Sequence, residues 1–156
     1  MVIQCEPSRK EVAVTLNNNK LASYNFDSVF EHTSTQQQVY SSVVSEVVED
    51  ALRGFNCTVF AYGQTGTGKT YTMEGKRTEY DWKSPSWYGS QAGMIPRATQ
   101  HIFQYLESNC SDYTVHVSYL ELYNEELIDL LSPDGSEPKQ LNIRFDDTRK
   151  GIVYLD

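Results

Sequence analysis

The 156-residue chain is long enough for one domain with a buried core, and 39% hydrophobic with 22% charged residues is typical of globular rather than disordered proteins. No apolar run approaches the roughly 20 residues of a membrane span, and the N-terminus lacks the features of a signal peptide, so we expect a cytoplasmic protein without a membrane partner. The formal net charge of −8 argues against binding nucleic acid by bulk electrostatics. Three scattered cysteines are too few for a disulfide framework, which favours a reducing compartment.

The first 30 residues predict two or three short strands. Residues 9–16 (RKEVAVTL) alternate charged or polar with apolar side chains, as a half-exposed strand does. Three asparagines at 17–19 predict a turn, because asparagine tolerates left-handed dihedral angles. Residues 24–30 (YNFDSVF) alternate again, and we expect a further strand there.

A helix is predicted to begin after Thr35. Thr35 and Gln38 fit a capping box, in which each side chain satisfies a free backbone N–H group of the other residue. Apolar residues then recur at three- and four-residue spacing up to Phe55, and Gly54 suits the C-terminal cap. Valine is a weak helix former, so this valine-rich stripe predicts a helix that is stabilised by packing on a sheet.

Residues 63–70 (GQTGTGKT) fit the phosphate-binding pattern G-x-x-x-x-G-K-[ST]. They follow an apolar run at 57–62 (CTVFAY) that predicts a buried strand, and a helix can open at Thr70. The glycines let the backbone curl around a ligand, so that its N–H groups and the helix N-terminus face an anion. We therefore predict a nucleoside triphosphate site in which Lys69 reaches the outer phosphates and the Thr70 hydroxyl binds Mg²⁺. The alternative is a glycine-rich turn that binds nothing.

A polar and aromatic insertion is predicted at residues 76–91, since a loop of this length is usually functional or disordered. Its two tryptophans favour a functional loop. A helix is expected to begin at Pro96, because proline suits the first helical position. His101 lies in that helix without a second metal-ligand candidate one turn away, so we interpret it as a surface histidine rather than a catalytic one.

The last third of the chain predicts strands. Residues 113–122 (YTVHVSYLEL) alternate strongly, and the segment at 132–135 (SPDG) is a turn signal. Residues 141–145 and 151–155 are predicted to pair as a hairpin. Glu125 and Glu126 would suit acid–base chemistry, but adjacent side chains do not face a common point, and we interpret the pair as structural or solvated.

Four segments resemble kinesin motor domains, in the order that the family has them. Residues 60–75 (FAYGQTGTGKTYTMEG) are similar to the nucleotide loop of kinesin heads almost letter for letter. Residues 24–30 resemble the family's Y-x-F-D-x-V-F strand, and residues 93–97 (GMIPR) resemble its G-I-I-P-R segment. Residues 120–131 (LELYNEELIDLL) resemble L-E-I-Y-N-E-x-x-x-D-L-L.

The pattern of elements predicts an α/β fold, a mixed β-sheet flanked by helices that carries the phosphate loop at the C-terminal end of a strand. The resemblance implies a microtubule-stimulated ATPase that uses ATP, ADP and Mg²⁺. It implies that Tyr71 lies beside the adenine and that Thr70 contributes to the Mg²⁺ site. The nucleotide-binding residues would be Gly63, Gln64, Thr65, Gly66, Thr67, Gly68, Lys69, Thr70 and Tyr71.

The chain is most similar to kinesin-5, the group of mitotic, bipolar, plus-end-directed motors, in residues 56–58 and in its long tryptophan-bearing loop. This similarity implies a full-length oligomer on the microtubules of the mitotic spindle. It also implies an inhibitor-binding loop edged by Glu74, Gly75, Arg77, Trp82, Ala92 and Pro96. Arg149 and Lys150, at the tip of the predicted hairpin, resemble a lobe of kinesins that touches tubulin, although two solvated turn charges are the alternative.

Several kinesin motifs are not found in the chain. The R-x-R-P motif that flanks adenine is missing, as are the N-x-x-S-S-R-S-H and D-L-A-G-S-E switch motifs. The switches position the attacking water, so we expect a partial motor domain at residues 1–156 with no catalytic residue of its own and little hydrolysis in isolation. The alternative is a truncated remnant that acts as a nucleotide- or protein-binding module. A small kinase or GTPase is not supported, because no N-K-x-D guanine motif occurs.

Overall fold

The computed structural model describes residues 2–16, 19–76, 89–132, 140–145 and 153–155. Contacts divide the chain into two compact units, an N-terminal unit (Met1–Ser111) and a C-terminal unit (Asp112–Asp156). Across the described ranges, no helix combines the length and the apolar composition needed to cross a membrane.

The N-terminal unit begins with an antiparallel sheet of three strands, β1 (Val2–Glu6), β2 (Glu11–Leu16) and β3 (Asn19–Asn25). A short 3₁₀ turn and Lys10, whose φ of 54° is left-handed, connect β1 to β2. The strand predicted at residues 9–16 is confirmed as β2. The further strand expected at residues 24–30 is wrong in position, because β3 ends at Asn25 and overlaps that range only at residues 24 and 25.

A helical segment follows as α1 (Gln36–Val39), a π-helical turn (Tyr40–Val44) and α2 (Ser45–Leu52). The capping box is confirmed: the Thr35 N–H donates to Gln38 Oε1 at 2.8 Å, and the Gln38 N–H donates to Thr35 Oγ1 at 3.2 Å. The predicted helix is therefore correct in position, but within the described residues its apolar stripe packs against residues of the later helix at 94–109 and not on a sheet. Its π-helical turn was not predicted, and such turns are often found near functional sites.

The described residues of this unit also form α3 (Lys69–Met73) and α4 (Met94–Asn109). Gly93 caps α4, so Pro96 is its third residue and not its first; the early position remains compatible with proline because the first helical N–H groups need no helical acceptor. The buried core joins the π-helical turn and α2 to α4 and consists of Tyr40, Val44, Val48 and Met94, with Val39, Leu52, Met73, Ala98 and Ile102 packed around them.

The histidine in α4 has a defined neighbour. His101 is half-buried, and its Nδ1 lies 2.9 Å from the hydroxyl of the buried Tyr40. His101 is therefore partly buried against Tyr40 of the preceding helical segment, whereas the sequence predicted a surface histidine.

The C-terminal unit contains an antiparallel sheet of β4 (Leu120–Tyr123), β5 (Glu126–Asp129) and β6 (Gln140–Leu141). Asn124 and Glu125 have φ values of 50° and 68°, which are typical of the tight turn between two antiparallel strands. Glu125 is thus a turn residue and Glu126 a strand residue, and both are exposed, in agreement with a solvated pair.

A separate hairpin pairs β7 (Ile143–Phe145) with β8 (Val153–Leu155), with Ile143 opposite Leu155. The predicted hairpin is confirmed. Arg149 and Lys150, which were expected from the sequence at the tip of this hairpin, lie outside the described residues.

One predicted strand is wrong as a paired strand, and another is only partly confirmed. In the part of the chain that the structure describes, where every strand pair is antiparallel, residues 57–62 have no ladder partner, and the strand predicted at residues 113–122 pairs only from Leu120 onward, as β4. Phe60 and Tyr62 are 80% and 95% exposed rather than buried. An apolar run becomes a central strand only where neighbouring segments accept and donate its backbone hydrogen bonds, and local sequence does not specify those neighbours.

Candidate phosphate-binding site

The loop at residues 63–70 owes its shape to its glycines. Gly66 and Gly68 have φ values of 83° and 91°, in the left-handed region that other residues rarely adopt. A β-carbon at Gly63 would come within 2.7 Å of Thr67 Oγ1, which is too close for a real contact. The two glycines that the pattern requires, Gly63 and Gly68, and the additional Gly66 therefore suit this backbone path.

The loop presents free backbone donors. Within the described residues, the N–H groups of Gly66, Gly68, Lys69 and Thr70 have no hydrogen-bond acceptor, whereas the Thr67 N–H reaches the Gln64 carbonyl at 3.4 Å. Successive amides that alternate with left-handed glycines form a concave anion-binding surface. The loop thus offers the donors that phosphate oxygens require, in agreement with the sequence pattern.

Lys69 adds a positive charge to this surface. Lys69 is half-buried, its ammonium group donates to the Gln64 carbonyl at 2.8 Å, and the Thr67 hydroxyl donates to the same oxygen at 2.8 Å. A flexible ammonium of this kind reorients toward a stronger acceptor such as a phosphate oxygen. Thr70, the next residue, is exposed, and a hydroxyl is a suitable oxygen ligand for Mg²⁺, which takes most of its ligands from phosphates and water.

The short helix α3 continues directly from the loop. Its first turn is closed by the Thr72 N–H donating to the Gly68 carbonyl at 2.8 Å. The helix has only five residues, so the free amides of the loop, rather than a helix dipole, supply most of the favourable field. Tyr71 lies in this helix with its side chain half-exposed.

After α3 the backbone crosses the start of α4 at two glycines, a feature we call the glycine crossing (Glu74–Lys76 with 91–93). The Gly93 N–H donates to the Glu74 carbonyl and the Lys76 N–H to the Gln91 carbonyl, both at 3.1 Å. A β-carbon at Gly93 would lie 2.6 Å from the Met73 carbonyl oxygen. This contact ties the end of the phosphate-binding region to the N-terminus of α4.

The crossing brings together part of the predicted inhibitor loop. Gly75 and Ala92 form an isolated antiparallel bridge, next to Glu74, and Pro96 lies in the first turn of α4. Arg77 and Trp82 lie outside the described residues. The close approach of Gly75 and Gly93 is a tertiary contact that the spacing of residues in the sequence does not reveal.

Sequence reasoning missed the role of Arg97. Its side chain is only 8% exposed, and its guanidinium donates to the carbonyls of Ala92 and Ser90, each at 3.0 Å, and to the Gln37 side-chain oxygen. Arg97 borders a polar cavity of about 750 Å³, lined by His32, Thr33, Ser34, Thr35, Gln36, Gln37, Tyr71, Gly89, Ser90, Gln91 and Arg97. The sequence did contain one signal for this role, because Arg97 is a charged residue on the same face of α4 as the buried Met94.

Comparison with known proteins identifies the family of this chain. The family model described as the kinesin motor domain matches residues 1–156. The chain is 44% identical to Kinesin-like protein KIN-5A of Oryza sativa subsp. japonica over 100% of its length. It is 46% identical to Kinesin-like protein KIF11 of Xenopus tropicalis over 97% of its length, and 49% identical to Kinesin-like protein Klp61F of Drosophila melanogaster over 90%.

The chain spans only 13 to 15% of the length of these relatives. The similarity to the kinesin-5 group is confirmed, because the three relatives are members of it. The α/β class predicted from the sequence agrees with the motor domain fold. The protein therefore belongs to the kinesin motor domain family.

Proposed function

We propose that this chain is the nucleotide-binding part of a kinesin-5 motor, which binds ATP and ADP and in the full protein couples ATP hydrolysis to movement along microtubules. The observation that carries the proposal is the loop at residues 63–70, where free backbone amides and the Lys69 ammonium lie together in a member of the kinesin family. A concave row of amide donors beside one flexible cation is suited to a chain of phosphates.

The loop residues act mainly by binding and orientation. The amides of Gly66, Gly68 and Lys69 donate to phosphate oxygens, and the Lys69 ammonium leaves the Gln64 carbonyl to donate to the outer phosphates. The Thr70 hydroxyl would supply one oxygen ligand to Mg²⁺, and the ion would neutralise charge on the phosphates. Tyr71, the next residue, offers a half-exposed aromatic face for the base.

The partner of the full protein is the microtubule, with Arg149 and Lys150 as contacts to tubulin. Family membership supports this partner, a cytoskeletal location on spindle microtubules and an oligomeric full-length protein. The loop that follows Gly75 is proposed as an inhibitor-binding site that includes Glu74, Gly75, Arg77, Trp82, Ala92 and Pro96.

Calorimetric titration with ADP and ATP in the presence of Mg²⁺ tests the nucleotide site. Lys69→Ala is expected to weaken binding about 10- to 100-fold, because a hydrogen bond to a charged group contributes about 1.5–3 kcal/mol. Lys76→Ala, which removes the same charge from an exposed side chain beyond α3, is the matched control and should change little. Absence of any heat from the unmodified protein would refute the proposal.

The motor activity is tested separately in the full protein. ATP hydrolysis should rise when microtubules are added, and Lys69→Ala should abolish the increase. Nucleotide binding without microtubule-stimulated hydrolysis would instead favour a binding module.

A further inference from the structure

Tyr71 is fixed at both ends by glutamine side chains. Its main-chain carbonyl accepts a hydrogen bond from Gln36 Nε2 at 2.6 Å, and its hydroxyl donates to Gln91 Oε1 at 2.7 Å. Gln36 is 7% exposed and lies in the first turn of α1, whereas Gln91 belongs to the glycine crossing. The orientation of this aromatic ring therefore depends on two segments that are distant in sequence.

Arg97 connects the two segments that hold Tyr71. Its Nη1 donates to the side chain of Gln37, the neighbour of Gln36, and its Nη2 donates to the carbonyl of Ser90, the neighbour of Gln91, at 3.0 Å. The contacts close a circuit around the polar cavity. We call it the polar ring, and its members are Gln36, Gln37, Tyr71, Ser90, Gln91 and Arg97.

We propose that Arg97 is a positioning residue for the nucleoside end of the bound nucleotide, an inference that rests on the proposed nucleotide-binding function. Arg97 fixes the segments that carry Gln36 and Gln91, and these two residues hold the Tyr71 ring one residue beyond the phosphate-binding loop. A ring that is already ordered before binding loses less conformational freedom when a base stacks on it. The polar ring thus favours ligands that carry a base over ligands made of phosphate alone.

An arginine is required at position 97 because three acceptors must be satisfied at once. The planar guanidinium has five N–H donors in a fixed geometry, and here it reaches two backbone carbonyls and one side-chain oxygen. Lysine carries the same charge on a single nitrogen and cannot span these three positions. The predicted effect therefore depends on geometry more than on charge.

The test compares two ligands, Mg²⁺–ADP and Mg²⁺–tripolyphosphate, which has no base. Arg97→Lys is expected to weaken ADP binding about 5- to 10-fold and to leave tripolyphosphate binding unchanged. Gln91→Met removes the acceptor of the Tyr71 hydroxyl at an exposed position and should have the same selective effect, which keeps the test valid if Arg97→Lys fails to fold. Arg53→Lys, at the exposed end of α2, is the control and should change neither affinity.

A double variant shows whether the two residues act through the same ring. If they do, Arg97→Lys with Gln91→Met weakens ADP binding about as much as the stronger single change, and a product of the two effects would overturn the proposal. Equal weakening of both ligands, or no change in either, would also overturn it. If the unmodified protein binds neither ligand, the proposed nucleotide-binding function fails as well. If it binds both ligands, but neither variant changes the ratio of ADP affinity to tripolyphosphate affinity, the positioning role of Arg97 alone fails.

Discussion

Met94 and Leu122 are both apolar residues in regular elements, yet Met94 is 4% exposed and Leu122 is 68% exposed. The same contrast separates the two units. The N-terminal unit has a buried cluster between the π-helical turn, α2 and α4, while no described residue of the C-terminal unit is buried. Both units carry comparable apolar patterns, so a pattern predicts which face would be buried but not whether a second layer covers it.

The difference also concerns function. The phosphate-binding loop, the glycine crossing and the polar ring all belong to the unit with the buried cluster, where α1, α3 and α4 are connected by long-range hydrogen bonds. A binding site needs its side chains at fixed positions, and packed helices supply them.

The largest expected effect comes from the buried cluster. Met94→Ala should lower the free energy of unfolding by about 2–5 kcal/mol, because it leaves a cavity among packed side chains. Leu122→Ala, at an exposed strand position, should change it by about 0.5 kcal/mol or less. Urea denaturation of both variants measures these changes in the free energy of unfolding. Equal decreases would contradict the conclusion that Met94 is packed in a core and Leu122 is not.

A smaller effect is expected at the glycine crossing. Gly93→Ala should cost about 3 kcal/mol, since the added methyl group would lie 2.6 Å from the Met73 carbonyl oxygen. Gly89→Ala has open space around it but a φ of 58°, and should cost about 1 kcal/mol from backbone strain alone. The melting temperatures of the two variants compare the cost of a steric contact with the cost of backbone strain. A lower melting temperature for Gly89→Ala than for Gly93→Ala would contradict the close backbone approach at the glycine crossing.

The smallest effect concerns local structure in the same unit. Thr35→Ala removes both hydrogen bonds of its hydroxyl in the capping box and should destabilise the protein by about 1 kcal/mol. Thr33→Ala, two residues earlier and outside the helix, should be nearly neutral. A loss of helical circular dichroism on mild heating of the first variant alone would support the assignment of Thr35 as the cap.

What the sequence predicted well was local. The capping box at Thr35, the loop of glycines before Lys69 and the hairpin at β7 and β8 each depend on residues close together in the chain. Such features follow from backbone preferences and hydrogen bonds within a few residues, which single-sequence patterns capture.

What the sequence could not predict was tertiary. The run at 57–62 has the composition of a buried strand, but its pairing depends on segments elsewhere, and Tyr62 is 95% exposed. Arg97 and Gln37 meet only because α1 and α4 pack together, 60 residues apart in the chain. Neither the acceptors of Arg97 nor the π-helical turn at Tyr40–Val44 leaves a periodic trace in the sequence.

The glycine crossing has a consequence for engineering. Because the strands of backbone at Glu74 and Gly93 touch, the insertion between them starts and finishes at almost the same place. The entropy of closing a loop rises slowly, by about 0.6 kcal/mol for each doubling of length. We therefore expect insertions between Lys76 and Gly89, including a grafted reporter peptide, to be accepted without displacing Lys69, provided that Ser90 and Gln91 are kept.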